Sequence, residues 1–347
     1  MAVVGAAVTL LAVSGCSAGG GAPAAQPPSV SATPTPSATP SGVDCSALLS
    51  DDDVSALLGS TVGTVDPNLA AATGKSVGWL AGYAIEAVQG ANCVWGEPGT
   101  EWTWHYGSQQ EPVFALHALP HAQAAWAELR PEGGAPGAAY VGGESFGGSC
   151  ADGTCHTDVL AGNWWLSADA SSAKGVMTER AFHDQVQKAV TALLALPEPA
   201  AVSVHNAIVD ACVSDEYAAA VTQSFDVPQA SFMGREYQFG MASAVWYATV
   251  TGGCAFQPSL DGSGGFLMSA WVVPDAKRTF GEFARLAGQK PTVTEFNRVT
   301  GNDNSDNLSN EFYALVGNDW VTIFSYPSPD AERQSREFVE WLRATYA

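Results

Sequence analysis

Several groups of residues in this chain have the types and spacing that chemistry needs. The stretch GESFG, Gly143 to Gly147, fits the G-x-S-x-G pattern. That pattern puts a serine at a sharp strand-to-helix turn, beside backbone donors for an oxyanion. Here it runs into GSCADGTC, a hairpin closed by two cysteines with no helix to follow, so a glycine-rich turn is expected and Ser145 is not assigned as a nucleophile. His117 and His121 are four residues apart, with Cys155 and His156 further on, a set that zinc could use. Pro120 separates the first two, placing His117 on a strand and His121 at a helix start. Cys150 and Cys155 prefer each other to a metal in an oxidising compartment. The run GNDNSDN, Gly301 to Asn307, begins like a calcium loop but lacks the glycine at its sixth position and the bidentate acid at its twelfth. An Asx-rich turn is expected there. No metal and no cofactor are assigned.

Ser171 with Lys174, and the Ser305-Asp306-Asn307 run, have the residue types of the serine enzymes that act on β-lactams. In those enzymes the lysine lies one helical turn from the serine and takes its proton. Lys174 is followed by Gly175 and Val176, a poor helix, and no Lys-Thr-Gly occurs. No catalytic residue is therefore assigned. The stretch EWTWHYG aligns Trp102, Trp104 and Tyr106 on one face of a strand, with Thr103 and His105 opposite. Such a row is either the core face of its sheet or a stacking platform for a glycan or peptide. These three residues are the candidate binding residues.

Cys16 ends an apolar run of about a dozen residues, the length of a signal-peptide core. Val13-Ser14-Gly15-Cys16 resembles the bacterial lipobox, in which the cysteine is diacylated and becomes the first residue after cleavage. The opening MAVVGAAVTL has no Lys or Arg, and a start codon slightly upstream is expected. Ser17 to Gly42 is rich in Pro, Ser, Thr, Ala and Gly, too poor in apolar bulk to offset ordering entropy. It is expected to be a tether that could extend roughly 80 Å. With 35 acidic against 14 basic residues the net charge is −21. This charge repels nucleic acid and anionic headgroups, so no nucleic-acid partner is expected and the membrane is reached through the lipid alone. The partner is an unknown envelope ligand or protein.

Six cysteines remain: Cys45, Cys93, Cys150, Cys155, Cys212 and Cys254. An even count in an exported chain reads as disulfides, with fifteen pairings open. An internal repeat narrows them. VDCSALLSDDDVSALLG at Val43 parallels VDACVSDEYAAAVTQSF at Val209, and GANCVW parallels GGCAF. Further on, FALHALPHAQAAWAEL parallels MSAWVVPDAKRTFGEF, and VLAGNWWLSADA parallels ALVGNDWVTIFSY. Each half closes with an amphipathic helix. Cys45–Cys93 and Cys212–Cys254 are thus equivalent bridges, each tying an N-terminal helix to the first strand, and Cys150–Cys155 closes a small hairpin. The expected divisions are a signal peptide over 1–15, the lipidated cysteine and tether over 16–43, a first domain over 44–197, a linker over 198–204 and a second domain over 205–347. In each domain a short helix, such as Ser50-capped SDDDVSALLG stopped by Gly59, is followed by a long irregular stretch. Alternating strands, a helix after Pro120 or Pro274, further strands and a last helix complete it. The fold class predicted is α+β, two tandem antiparallel sheets with helices packed mainly on one face of each.

DCSALLSDDDVSALLG, GANCVW, VGGESFGGSC, CHTDVLAGNWWLSADA and AFHDQVQKAVTALL together resemble the actinobacterial envelope lipoproteins grouped as DUF3558. They are also similar to the extracytoplasmic sensor-type domains of actinobacterial receptor kinases. The resemblance covers the first half well and the second more loosely. It implies an envelope lipoprotein with a disulfide-pinned α+β fold and carries no catalytic residues. The function expected is a non-catalytic binding module anchored outside the membrane. A structural or accessory lipoprotein of an envelope complex is the second reading, and a cryptic hydrolase the third.

Overall fold

Two short helices open the first half, α1 (Cys45–Leu48) and α2 (Asp51–Leu58). The Ser50 hydroxyl accepts the Asp53 N–H, Asp51, Asp52 and Asp53 face the positive end of the helix dipole, and Gly59 at φ 67° ends it in the left-handed region. The computed structural model describes residues 42–69, 72, 80–99, 112–130, 137–197, 199, 206–234, 241, 243–245, 253–259, 265–300 and 309–347. The stretch expected to be a signal peptide, Cys16 and the expected tether as far as residue 41 lie outside the described residues, as do Trp102, Trp104, Tyr106 and Ser305 to Asn307.

The first half continues through β1 (Gly63–Val65), α3 (Ala81–Ala87), β2 (Ala91–Gly96), β3 (Val113–Leu119) and α4 (Gln123–Leu129). β4 (Gly143–Ala151), β5 (Thr154–Ala161), β6 (Trp164–Ser171) and α5 (Glu179–Ala195) complete it. Its strands form one antiparallel six-stranded sheet in the order β1-β2-β3-β6-β5-β4. The second half runs through α6 (Ala207–Asp210), a 3-10 turn (Ala211–Val213), α7 (Asp215–Ser224), β7 (Ser231–Gly234), β8 (Cys254–Gln257) and β9 (Met268–Val273). It ends with α8 (Lys277–Leu286), β10 (Glu295–Thr300), β11 (Ser309–Val316), β12 (Asp319–Ser325) and α9 (Ala331–Tyr346). The second sheet, read β7-β8-β9-β12-β11-β10, repeats the first strand for strand. The protein is α+β, built of two similar domains.

One face of each sheet is covered as the periodicity predicts. Phe182, Val186, Ala189, Val190 and Leu193 fall on one stripe of α5 and pack on Phe114, Leu116, Leu166 and Ala168. In the second half Phe338, Val339 and Leu342 of α9 cover Phe312, Ala314, Val321 and Ile323. The opposite faces are closed reciprocally. Tyr83 and Leu80, on and beside α3 of the first half, join Phe280 and Phe283 of α8 over Trp320 and Tyr313 of the second sheet. Met241, Ala244 and Val245 of the second half join Ile85, Leu119 and Trp126 over Trp165 of the first sheet. Each half thus lends a helical segment to the other half's sheet, and the described residues all fall in one compact unit.

All six body cysteines pair as the repeat predicts: Cys45–Cys93 and Cys212–Cys254, each with Cα atoms 5.6 Å apart, and Cys150–Cys155 at 4.1 Å. The strand reached by the two long bridges is the second of its sheet, not the first. β1 and β7 precede it as short edge strands of three and four residues, too short to show alternation. The Cys150–Cys155 bridge links directly paired residues across a hairpin. Its loop is small, so replacing both cysteines by serine is expected to lower stability by only about 2 kcal/mol. Urea titration checks this, and a loss of twice that size would mean the bridge does more than close its own turn.

Candidate functional site

The alternation of β2, β3, β5 and β6 places Asn92, His117, Ser167 and Asp158 in register on the face opposite α5. These are side-by-side neighbours on four adjacent strands, and all are buried. Asn92 Oδ1 lies 3.0 Å from His117 Nδ1, and Asn92 Nδ2 donates to Glu86 Oε1 of α3 at 2.8 Å. Asn68 donates to the same oxygen at 2.9 Å. At the other end, His156 reaches Asp169 through Nδ1 at 2.8 Å and Asp158 through Nε2 at 2.9 Å. Trp165 Nε1 donates to the second oxygen of Asp158 at 2.7 Å. Trp126 meets Trp165 edge to face, with centroids 4.7 Å apart.

Burial sets the protonation states along this row. It lowers His117 to about 3, so that imidazole stays neutral. Burial works the same way on His156, but hydrogen bonds to Asp158 and Asp169 outweigh it and hold the ring charged up to about 10. Glu86 is pushed up to about 7 by burial, despite the amides of Asn92 and Asn68, with the like charges of Asp66 and Glu282 adding to the rise. Neither histidine is matched to proton transfer near neutrality. Glu86 titrates there. A carboxyl whose folded pKa lies above its unfolded value contributes stability that is full below the unfolded value and lost as pH rises through the folded one. Stability is therefore expected to fall between about pH 4.5 and 7 by roughly 3 kcal/mol, and Glu86→Gln to flatten that part of the curve. An unchanged curve in the variant would assign the titration to another group.

The second sheet has a counterpart at the same place. Trp165 stands three residues after the turn glycine Gly162, as Trp320 does after Gly317, and they pair with Leu160 and Leu315, so His156 corresponds to Glu311 and Asp158 to Tyr313. Arg298 Nη2 donates to Glu311 Oε2 at 2.8 Å and to the Tyr313 hydroxyl at 2.6 Å, and the Tyr313 hydroxyl donates to Glu311. Arg298 Nη1 donates to the Ala72 carbonyl of the first half at 2.9 Å. Its guanidinium stands over the rings of Tyr313 and Phe283 at 5.2 and 5.7 Å. Burial raises the Tyr313 phenol well above its ordinary value, so it stays a donor.

The residues singled out for chemistry are dispersed. GESFG lies within edge strand β4, where Gly147 and Gly148, both at positive φ, form a bulge in place of a turn into a helix. The Ser145 hydroxyl donates to the Ala138 carbonyl. Lys174 sits on an exposed turn and pairs with Asp152 at 2.6 Å. His121 lies in the turn before α4, against the Pro199 carbonyl at 2.7 Å, remote in role from His117. No group of three or more metal-ligating residues is arranged to hold an ion among the described residues. No described helix is long and apolar enough to cross a membrane. The row from Glu86 to His156 and the Arg298 cluster were missed in the sequence, although His156 and Asp158, like Ser167 and Asp169, stand at every second position of their strands. Comparison with family models, with curated proteins and with solved structures finds no match to this chain.

Proposed function

We propose that this chain is a non-catalytic binding module of a bacterial envelope, exported and held at the outer face of the cytoplasmic membrane by a lipid on Cys16. The likeness to actinobacterial envelope lipoproteins belongs to the same reading. The observation that carries it is the use made of reactive groups. All six body cysteines are paired, which suits an oxidising compartment. Ser145, Lys174 and His156 are engaged by neighbours of the fold itself. What remains is a rigid double scaffold whose two sheets carry different side chains at matching positions, an arrangement suited to recognition.

Two measurements test the reading. Cys16→Ser is expected to move the protein from the membrane fraction to the medium or to leave unprocessed precursor, and unchanged fatty-acid labelling would overturn the anchor. A retained ligand in native mass spectrometry, or a thermal shift with envelope glycans, is expected for the binding reading. The net charge of −21 favours a second reading, docking of a basic envelope protein. In-cell crosslinking to one abundant protein, with no ligand effect, would decide for it. Turnover that disappears in Ser145→Ala or Ser171→Ala would overturn both.

A further inference from the structure

The basic residues of this acidic chain are unevenly placed. Among those described, all but four reach a carboxylate within 4.0 Å. The four without an ion pair, Lys277, Arg278, Arg285 and Lys290, stand together on α8 and the turn that follows it, and all are exposed. α8 turns its apolar side inward, with Phe280, Phe283 and Ala284 buried over the second sheet. The 3.6-residue period then puts Arg278 and Arg285 on the outward crest, two turns and about 10 Å apart, with Lys277 beside them. Lys290 belongs to the return from the helix, which runs back alongside the crest: a Cβ on Gly281 would lie 3.2 Å from the Pro291 carbonyl. The acids of this segment do not cancel the charge. Glu282 acts on α3, where it helps to raise Glu86, and Asp275 precedes the helix. Segment 275–290 is thereby net positive in a chain of net charge −21.

Such a cluster attracts anions, and its shape selects among them. Long, exposed side chains along the outside of a helix cannot enclose one small ion. A row of spaced cations fits a plane of anionic headgroups, where each Lys or Arg near the surface strengthens attraction about fivefold. Acids elsewhere on the body are screened beyond a Debye length of roughly 8 Å, so the net charge opposes the approach of other faces more than this one. The amino-terminal segment ends close by. The Val43 N–H donates to the Gly90 carbonyl at 3.2 Å, just past α3, and Tyr83 of α3 meets Phe283 of α8 at 5.8 Å. A leash entering beside the neighbour of α8 raises the effective concentration of the membrane at this face, so weak attraction suffices.

We propose that α8 and the Lys290 turn form a docking face for anionic phospholipid headgroups of the membrane that holds Cys16, so that the body rests with this side down. This builds on the anchored-module reading and adds which face meets the bilayer. The test uses full-length Cys16→Ser protein, which cannot be acylated at that residue, so the face is read apart from the anchor. It is co-sedimented with vesicles of phosphatidylcholine alone, and of phosphatidylcholine and phosphatidylglycerol in equal parts. Binding to the mixed vesicles is expected, lost at about 1 M salt and about 25-fold weaker in Arg278→Gln/Arg285→Gln. Both side chains are exposed, so the Tm of that variant is expected to stay within about 2 °C of its parent. Lys174→Gln/Arg180→Gln changes the net charge equally at paired residues and is expected to bind like the parent. Equal loss in the two double variants, equal binding to both kinds of vesicle, or binding to neither would overturn the face. Binding to soluble polyphosphate with none to the vesicles would overturn it in favour of an anionic polymer. Any of these failures leaves the anchor standing, because fatty-acid labelling of Cys16 reports on that separately.

Discussion

Asp158→Ala is expected to lower stability by about 3–5 kcal/mol, the range for removing one partner of a buried ion pair. Asp158 is 2% exposed and accepts from two groups at once, His156 Nε2 and Trp165 Nε1. Alanine takes an acceptor from both: the buried indole N–H loses Asp158, and the imidazolium loses one of its two carboxylates. The pH dependence identifies the cause. In the native protein His156 has a folded pKa of about 10, above its ordinary 6.5. Its contribution is full below the unfolded value and is lost as pH rises through the folded one. The native protein should therefore weaken between about pH 6.5 and 10, and Asp158→Ala much less so. Urea titrations at several pH values decide. A variant that is destabilised equally at pH 6 and pH 10 would show that packing, not the ion pair, was lost.

Tyr83→Ala is expected to cost a similar 3–5 kcal/mol, as for other buried aromatic deletions. The ring belongs to the first half, yet its neighbours are Trp320 at 5.0 Å and Phe283 at 5.8 Å in the second. Its hydroxyl is buried without a partner, so Tyr83→Phe should be neutral or slightly stabilising. The single unfolding transition expected of the native body should split in Tyr83→Ala, as the halves lose their mutual cover. A loss below 1 kcal/mol with one sharp transition would mean that the remaining seam holds without this ring.

Much of the architecture was legible in local signals. Ser50, the three aspartates after it and Gly59 spell out a helix with both ends marked, and the structure has it. The repeat fixed the long bridges because equivalent cysteines stand at equivalent elements. What escaped was α3. Its residues Ala81, Gly82, Tyr83, Ala84 and Ile85 are all buried, so it has no polar stripe and reads as irregular chain. Missing that helix hid the buried row as well. His156 and Asp158 at every second position describe a strand with one wet face, and only a cover on that face turns the polar residues inward. The Arg298 cluster was invisible for a further reason, since Arg298, Glu311 and Ala72 meet only through pairing and packing between distant segments.

The reciprocal closure of the two sheets also bears on how the chain comes to be made. The chain emerges with the first sheet and α5 complete by Ala195, but Met241, Ala244 and Val245 arrive only later. Until they do, Ile85, Trp126 and Trp165 lack part of their cover. A nascent product stopped near Pro197 is expected to be sticky and readily cut by protease, and a chaperone that shields this patch would act in that interval. For an exported chain, maturation of the amino-terminal half would thus wait until the carboxy-terminal half has followed it across the membrane.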